Sequence, residues 1–193
     1  MMTTNLIPQV IEETPKGERS FDIYSRLIKD RIILMTGEVE DNMSADIVAQ
    51  ILYLDSIDHS APIHLYINSP GGSCTAGLAI YDAMCFVKAP VYTYAIGMAA
   101  SMGAFILSAG EKGHRYATKN ATVMTHRVSS GTKGNIQDQI VALEYSKALD
   151  DRLARILAAN CGMDLEAYLK VNERDNFMFP EAAKAFGIID EIV

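Results

Sequence analysis

The run Val91-Tyr92-Thr93-Tyr94-Ala95-Ile96-Gly97-Met98-Ala99-Ala100-Ser101-Met102-Gly103-Ala104 carries an extended segment straight into a helical one. Residues 91–96 form an apolar, strand-like run, and residues 102–109 read as a helix. Between them one hydroxyl, that of Ser101, falls at a sharp strand-to-helix turn, with Gly and Ala clearing the space around it. A substrate backbone can reach a serine in that position, and the helix N-terminus behind it can stabilise a developing oxyanion. The structural alternative is a helix N-cap, a common role for Ser. The pattern Gly-x-x-x-Ser-x-Gly is not the Gly-x-Ser-x-Gly elbow of many hydrolases, so both readings stay open here.

The same alternation extends outward. Upstream, residues 75–87 predict a helix with Leu78, Ile80, Met84 and Phe86 as its apolar set. Residues 63–67 alternate as a strand and meet a strong turn signal, Asn68-Ser69-Pro70-Gly71-Gly72. Asp41, Asn42 and Ser44 offer caps to a helix over 45–55, residues 31–36 predict a strand ended by Gly37, and residues 21–27 a short amphipathic helix. Residues 1 to 20, polar with Pro8, Pro15 and Gly17, read as a mobile arm or loop. Downstream come short strands over 115–117 and 121–124 and a flexible Gly-containing segment over 129–134. Helices over 136–159 and 164–171, a last helix opened by Pro180 and ended near Gly187, and a closing strand over 188–193 complete the chain. Strand and helix in repeated succession predict an α/β fold with a mostly parallel sheet. At 1.5 Å per residue the 136–159 helix would reach ~36 Å. That is long enough to project toward another subunit, with a core helix as the alternative.

Composition narrows the function classes. A chain of 193 residues favours one domain, and 49% hydrophobic content supports an ordinary core. With a formal net charge of −7 and no basic run, nucleic acid is a poor partner. No apolar stretch reaches the ~18 uninterrupted residues of a membrane span, and residues 1–13 lack the basic and apolar regions of a secretory signal. Cys74, Cys85 and Cys161 are odd in number and without metal spacing, which suits a reducing compartment; a cytoplasmic setting is expected. No His/Cys/Asp/Glu cluster has ligand spacing, so neither metal nor cofactor is expected.

A serine hydroxyl needs a base, and a histidine base needs an acid to fix its tautomer. His59 lies in a polar loop, His64 within an alternating strand and His114 in a surface turn. His126 follows the strand at 121–124, at the kind of strand end where α/β sheets build sites. A satisfied structural histidine is its alternative. Asp175, among Glu173, Arg174 and Asn176, reads by default as part of a solvated charged loop. The Pro70-Gly71-Gly72-Ser73 turn lacks the Lys-Ser/Thr ending of a phosphate loop; its use is better seen as backbone N–H donation to a carbonyl oxygen.

Four motifs then carry a resemblance over essentially the whole chain. They are Tyr66-Ile67-Asn68-Ser69-Pro70-Gly71-Gly72, Ala76-Gly77 with Ile80-Tyr81-Asp82, Ala99-Ala100-Ser101-Met102-Gly103-Ala104, and Glu173-Arg174-Asp175. In this order they resemble the proteolytic-subunit family of the Clp protease. The resemblance implies a Clp protease/crotonase-like spiral of β-β-α units, with Ser101 as nucleophile, His126 as general base and Asp175 as its orienting acid. It implies an oxyanion hole of the Gly72 and Met102 N–H groups. It further implies a homo-oligomer of two stacked heptamers with Arg174 at the ring–ring contact, and a handle over 131–160 joining the rings. The remaining implications are an axial pore loop over 6–19 ahead of a single peptidase domain over 20–193, unfolded proteins as substrate, and an ATP-dependent Clp unfoldase as partner. Where the family usually has Gln-Pro after the histidine, this chain has Arg127-Val128. Two other readings remain to be separated by experiment: a silent ring subunit supporting active relatives, and an acyl-CoA enzyme of the crotonase fold.

Overall fold

The computed structural model describes residues 7–15 and 17–193. In chain order the elements are β1 (Gln9–Thr14), β2 (Gly17–Asp22), α1 (Ile23–Lys29), β3 (Ile32–Val39), α2 (Asp41–Ile57), β4 (Ile63–Gly72), α3 (Cys74–Phe86), β5 (Val91–Ala100) and α4 (Met102–Ser108). They continue as β6 (Arg115–Ala117), β7 (Thr122–Thr125), α5 (Ile136–Cys161), α6 (Leu165–Val171), β8 (Asn176–Met178), α7 (Pro180–Phe186) and β9 (Glu191–Ile192). The expected α/β architecture with a mainly parallel sheet is present: β3, β4, β5, β6 and β9 lie side by side in that order, every neighbouring pair parallel.

Strand β5 forks. Its first half, Thr93 to Ala95, pairs with β6, and its second half, Met98 to Ala100, pairs with β7. β7 in turn pairs antiparallel with β8, a strand that the sequence reading does not include. A three-residue strand of Asn-Phe-Met has no periodicity of its own; its partner β7, which pairs Thr125 with Asn176 and Val123 with Met178, makes it a strand.

Alternation along β4 and β5 sorts the two faces of the sheet. Ile63, Leu65 and Ile67 are completely buried toward the helices, each worth roughly 1.5–3 kcal/mol relative to exposure. On the opposite face the parallel register aligns Tyr66, Tyr94 and Tyr116 into a stacked row, with ring centroids 4.4 and 4.8 Å apart. The core between sheet and helices is closed by α4, every residue of which is buried.

Three local expectations are corrected. The Asn68–Gly72 segment is not a turn: β4 continues through it, because Gly71 and Gly72 pair with Glu38 and Val39 beyond a register shift. Helix α2 starts at Asp41 rather than 45; its N-cap Glu40 makes no side-chain cap bond, and Ser44, expected to cap, is buried with its Oγ donating to the Ala76 carbonyl at 2.7 Å. The expected arm is a β1–β2 hairpin over its described part, held to α1 by ion pairs of Glu12 with Arg26 and Lys29; the start of the expected pore loop, at Leu6, lies outside the described residues.

The 26-residue helix α5 spans about 39 Å. Its core contacts come from the second half, through Leu153, Ala154, Leu157 and Ala158. The first half leaves Ile136 73% and Leu143 61% exposed, with Ile140, Val141 and Tyr145 also bare. Of the two alternatives left open by the pattern, only this half projects; the other is core.

Candidate active site

Sheet topology brings three distant residues to one edge. Ser101 is the first residue past β5, His126 the first past β7, and Asp175 the last before β8. The register joins Ala100 to Met124 and Thr125 to Asn176. Because β5 and β7 are parallel while β8 runs back, the ends of two strands and the beginning of the third meet at that edge.

Ser101 has φ 54° and ψ −118°, a backbone position that costs a non-Gly residue of order 1–3 kcal/mol. The surroundings enforce it. Ser101 N–H donates to the Met124 carbonyl at 2.9 Å, and its own carbonyl accepts from Phe105 N–H at 3.0 Å. Gly71, with φ +94°, presses against it: a Cβ there would stand 2.5 Å from Ser101 Cβ and 3.0 Å from Met102 N. At Gly72, a Cβ would stand 2.3 Å from the Val39 carbonyl oxygen. Only glycines let the β4 end lie this close to both the Ser101 turn and β3.

Ser101 stands at the N-cap position of α4, but its side chain makes no cap bond. Its Oγ lies 2.8 Å from His126 Nε2 instead. With the imidazole proton on Nδ1, the Oγ–H donates to Nε2, the arrangement a general base requires. Asp175 Oδ1 lies 3.6 Å from His126 Nδ1, beyond hydrogen-bond length. The carboxylate is 61% exposed, against 25% for the imidazole. Arg174 beside it is exposed and makes no ion pair among the described residues.

Gly72, Ser101, Met102 and His126 line one cavity of about 70 Å³, so the two expected oxyanion donors and the dyad share a single space. Its deeper wall is apolar, from Phe105, Leu153 and Leu157, with Cys74 and Tyr168 beside them. Burial pushes the Cys74 thiol up, helped by the Asp150 carboxylate. Burial also drives the Tyr168 phenol up, with Cys161 and Asp150 adding to it. Both groups are neutral at pH 7.

Two features near the dyad escape a sequence reading. Buried Asn172 accepts a hydrogen bond from Thr125 Oγ1 and donates to the Tyr168 carbonyl at 2.9 Å. That ties the end of β7 to the segment leading to Asp175. Arg127, next to His126, donates through Nε to both oxygens of Asp150, at 2.9 and 3.1 Å, and through Nη2 as well. Val128 N–H donates to the same carboxylate at 2.9 Å. Burial opposes ionisation of Asp150, but the Arg127 bonds and the Val128 N–H outweigh it and hold the carboxyl below its usual range.

Among the described residues no group of three or more His, Cys, Asp or Glu could hold a metal ion, and no helix is long and apolar enough to cross a membrane. A family model described as Clp protease matches residues 15–193.

Proposed function

The chain belongs to the Clp protease family, and from that premise we propose that it is an active serine endopeptidase with Ser101, His126 and Asp175 as its triad. The observation that carries this reading is the 2.8 Å approach of Ser101 Oγ to His126 Nε2, at a serine that forgoes its cap bond. Ser101 Oγ attacks the peptide carbonyl as His126 takes its proton. The N–H groups of Gly72 and Met102 receive the oxyanion. His126 then protonates the departing amine, and a water molecule, activated by the same imidazole, releases the acyl group. The small cavity beside Ser101 takes the side chain of the residue that supplies the carbonyl.

We further propose assembly into two stacked heptamers that enclose the sites, with an ATP-dependent Clp unfoldase delivering unfolded proteins. The bare apolar half of α5 supports burial against other copies, and the exposed Arg174 beside Asp175 is free to make a contact between rings. The β1–β2 hairpin is assigned to the axial entrance, and residues 20–193 to a single peptidase domain. Three unpaired cysteines support a reducing, cytoplasmic setting.

Incubation of the assembled protein with a fluorophosphonate at neutral pH should label Ser101. An absent adduct would sink the peptidase reading in favour of a silent ring subunit. Replacement of Ser101 by Ala separates the acyl-CoA alternative, for which that hydroxyl is dispensable.

A further inference from the structure

The Arg127–Asp150 pair lies where stability alone does not call for it. A half-buried ion pair is on average a weak stabiliser, often replaceable by apolar groups. Yet both residues line the cavity that also contains Ser101 and His126. The other walls are uncharged: Phe105, Leu153 and Leu157 are apolar, and Cys74 and Tyr168 are held neutral. Arg127 and Asp150 therefore carry the fixed charges of this wall, one of each sign. Their geometry is bidentate, with 36% and 17% of the side chains exposed. The carboxylate's remaining capacity is used by Val128 N–H.

A residue that presents its carbonyl to Ser101 Oγ places its side chain in the nearest cavity. We propose that the Arg127–Asp150 ion pair sets the charge selectivity of this pocket, cancelling its own field so that uncharged side chains are accepted and acidic and basic ones are refused alike. The inference rests on the peptidase reading, and adds to it a pair of specificity-determining residues. Refusal has a definite cause: a charged side chain would be desolvated on entry, and both groups that could compensate it already face one another.

Removing one member exposes the other. Arg127→Gln leaves Asp150 unpaired, with Asp151 nearby: its carboxylate stands 3.8 Å from Arg127 Nη2. Asp150→Asn keeps an acceptor for Val128 N–H but leaves the guanidinium only the exposed Asp151. The test measures kcat/KM of the assembled protein on peptides that differ only in Leu, Gln, Glu or Lys before the cleaved bond. In the unaltered protein Glu and Lys peptides should both fall below Leu and Gln, and lie within about threefold of each other. Arg127→Gln should raise the Lys/Leu ratio by about tenfold, and Asp150→Asn the Glu/Leu ratio by a smaller factor, since Asp151 offsets part of the freed charge. Sign-selective ratios are not expected from a purely structural pair, whose loss would lower all four substrates by a common factor. A common factor, or a strong preference for one charge sign in the unaltered protein, overturns the inference. Because the second outcome needs no variant, poor folding of either substitution does not protect the proposal. Missing fluorophosphonate labelling of the unaltered protein defeats the peptidase reading itself; intact labelling with flat ratios defeats only the charge-selectivity inference.

Discussion

Asp175 Oδ1 stands 3.6 Å from His126 Nδ1, so the acid and the base of the candidate triad are near neighbours without a hydrogen bond between them. Ser101 and His126 are already at bonding distance. The acid, 61% exposed on the segment between α6 and β8, is the member whose placement the single chain leaves loosest.

In the assembled protein we expect Asp175→Asn to lower kcat by about four orders of magnitude, the effect of losing the correct imidazole tautomer. Dissociated chains, in which the carboxylate stands off, should react slowly with a fluorophosphonate whether residue 175 is Asp or Asn. Equal kcat for assembled parent and variant would remove Asp175 from the mechanism.

Gly71→Ala tests the close approach of β4 to the serine turn. The new Cβ would fall 2.5 Å from Ser101 Cβ at a residue with φ +94°. We expect at least about a hundredfold loss of labelling rate at Ser101, since small displacements of a reacting group cost that much. Thermal unfolding should show a simultaneous loss of more than about 1 kcal/mol of stability. Labelling at the parental rate would contradict the geometry.

Arg115 and Asp190 hold the far side of the sheet together. The guanidinium bonds both carboxylate oxygens, at 2.8 and 2.6 Å, and the Asn160 carbonyl at 2.9 Å, with the Arg115 side chain only 5% exposed. Arg115→Ala should therefore cost about 3 kcal/mol, the usual result of stranding half of a buried pair, read by denaturant unfolding. A change under about 0.5 kcal/mol would mean the pair is ornamental.

The same pair predicts an acid limit. Burial opposes ionisation of Asp190, but the bonds from Arg115, including its N–H, and from Gly113 N–H overcome it and keep the carboxyl below its usual range. Asp150 is depressed in the same sense. A carboxyl with a lower pKa in the folded state contributes stability above its unfolded pKa, about 3.9, and loses it as pH falls through the folded value. The melting temperature should thus hold between pH 7 and 5 and decline below about pH 4, less steeply in Asp190→Asn. Identical acid profiles for parent and variant would exclude the linkage.

Leu143→Lys addresses the bare half of α5. Leu143 is 61% exposed, so its replacement should change single-chain stability by no more than about 0.5 kcal/mol. Native mass measurement should nonetheless show weakened assembly. An unchanged oligomer would place the contact elsewhere.

Much of this molecule was legible from local pattern. Ile63, Leu65 and Ile67 alternate, Ile47, Ile51 and Leu54 recur at helical spacing, and Ser101 sits where an apolar run gives way to a helix. What escaped depended on partners far away in the chain. Gly71 and Gly72 look like a turn until Glu38 and Val39 lie beside them, and β8 is a strand only against β7. The candidate site divides in the same way. Single residues were readable, and the resemblance grouped them. The Arg127–Asp150 bond, between a strand end and the middle of a helix, has no signature of spacing or composition at all.

The fork in β5 has a mechanical result. The half of β5 that ends at Ala100 keeps β4 on one side, through Ser69 and Ala99, and exchanges β6 for β7 on the other, with β8 beyond it; His126 follows β7 and Asp175 precedes β8. The candidate triad thus stands where β5 changes partner within one continuous seven-stranded sheet, passing from β6 to β7. The main sheet reaches this edge by two strands, β5 itself and β4, whose Gly71 lies against Ser101. Helix α5 reaches it too, through Asp150, which bonds Arg127 and Val128 just past His126. The candidate catalytic edge is therefore braced from two directions at once, by the strands that carry it and by the helix that carries Asp150.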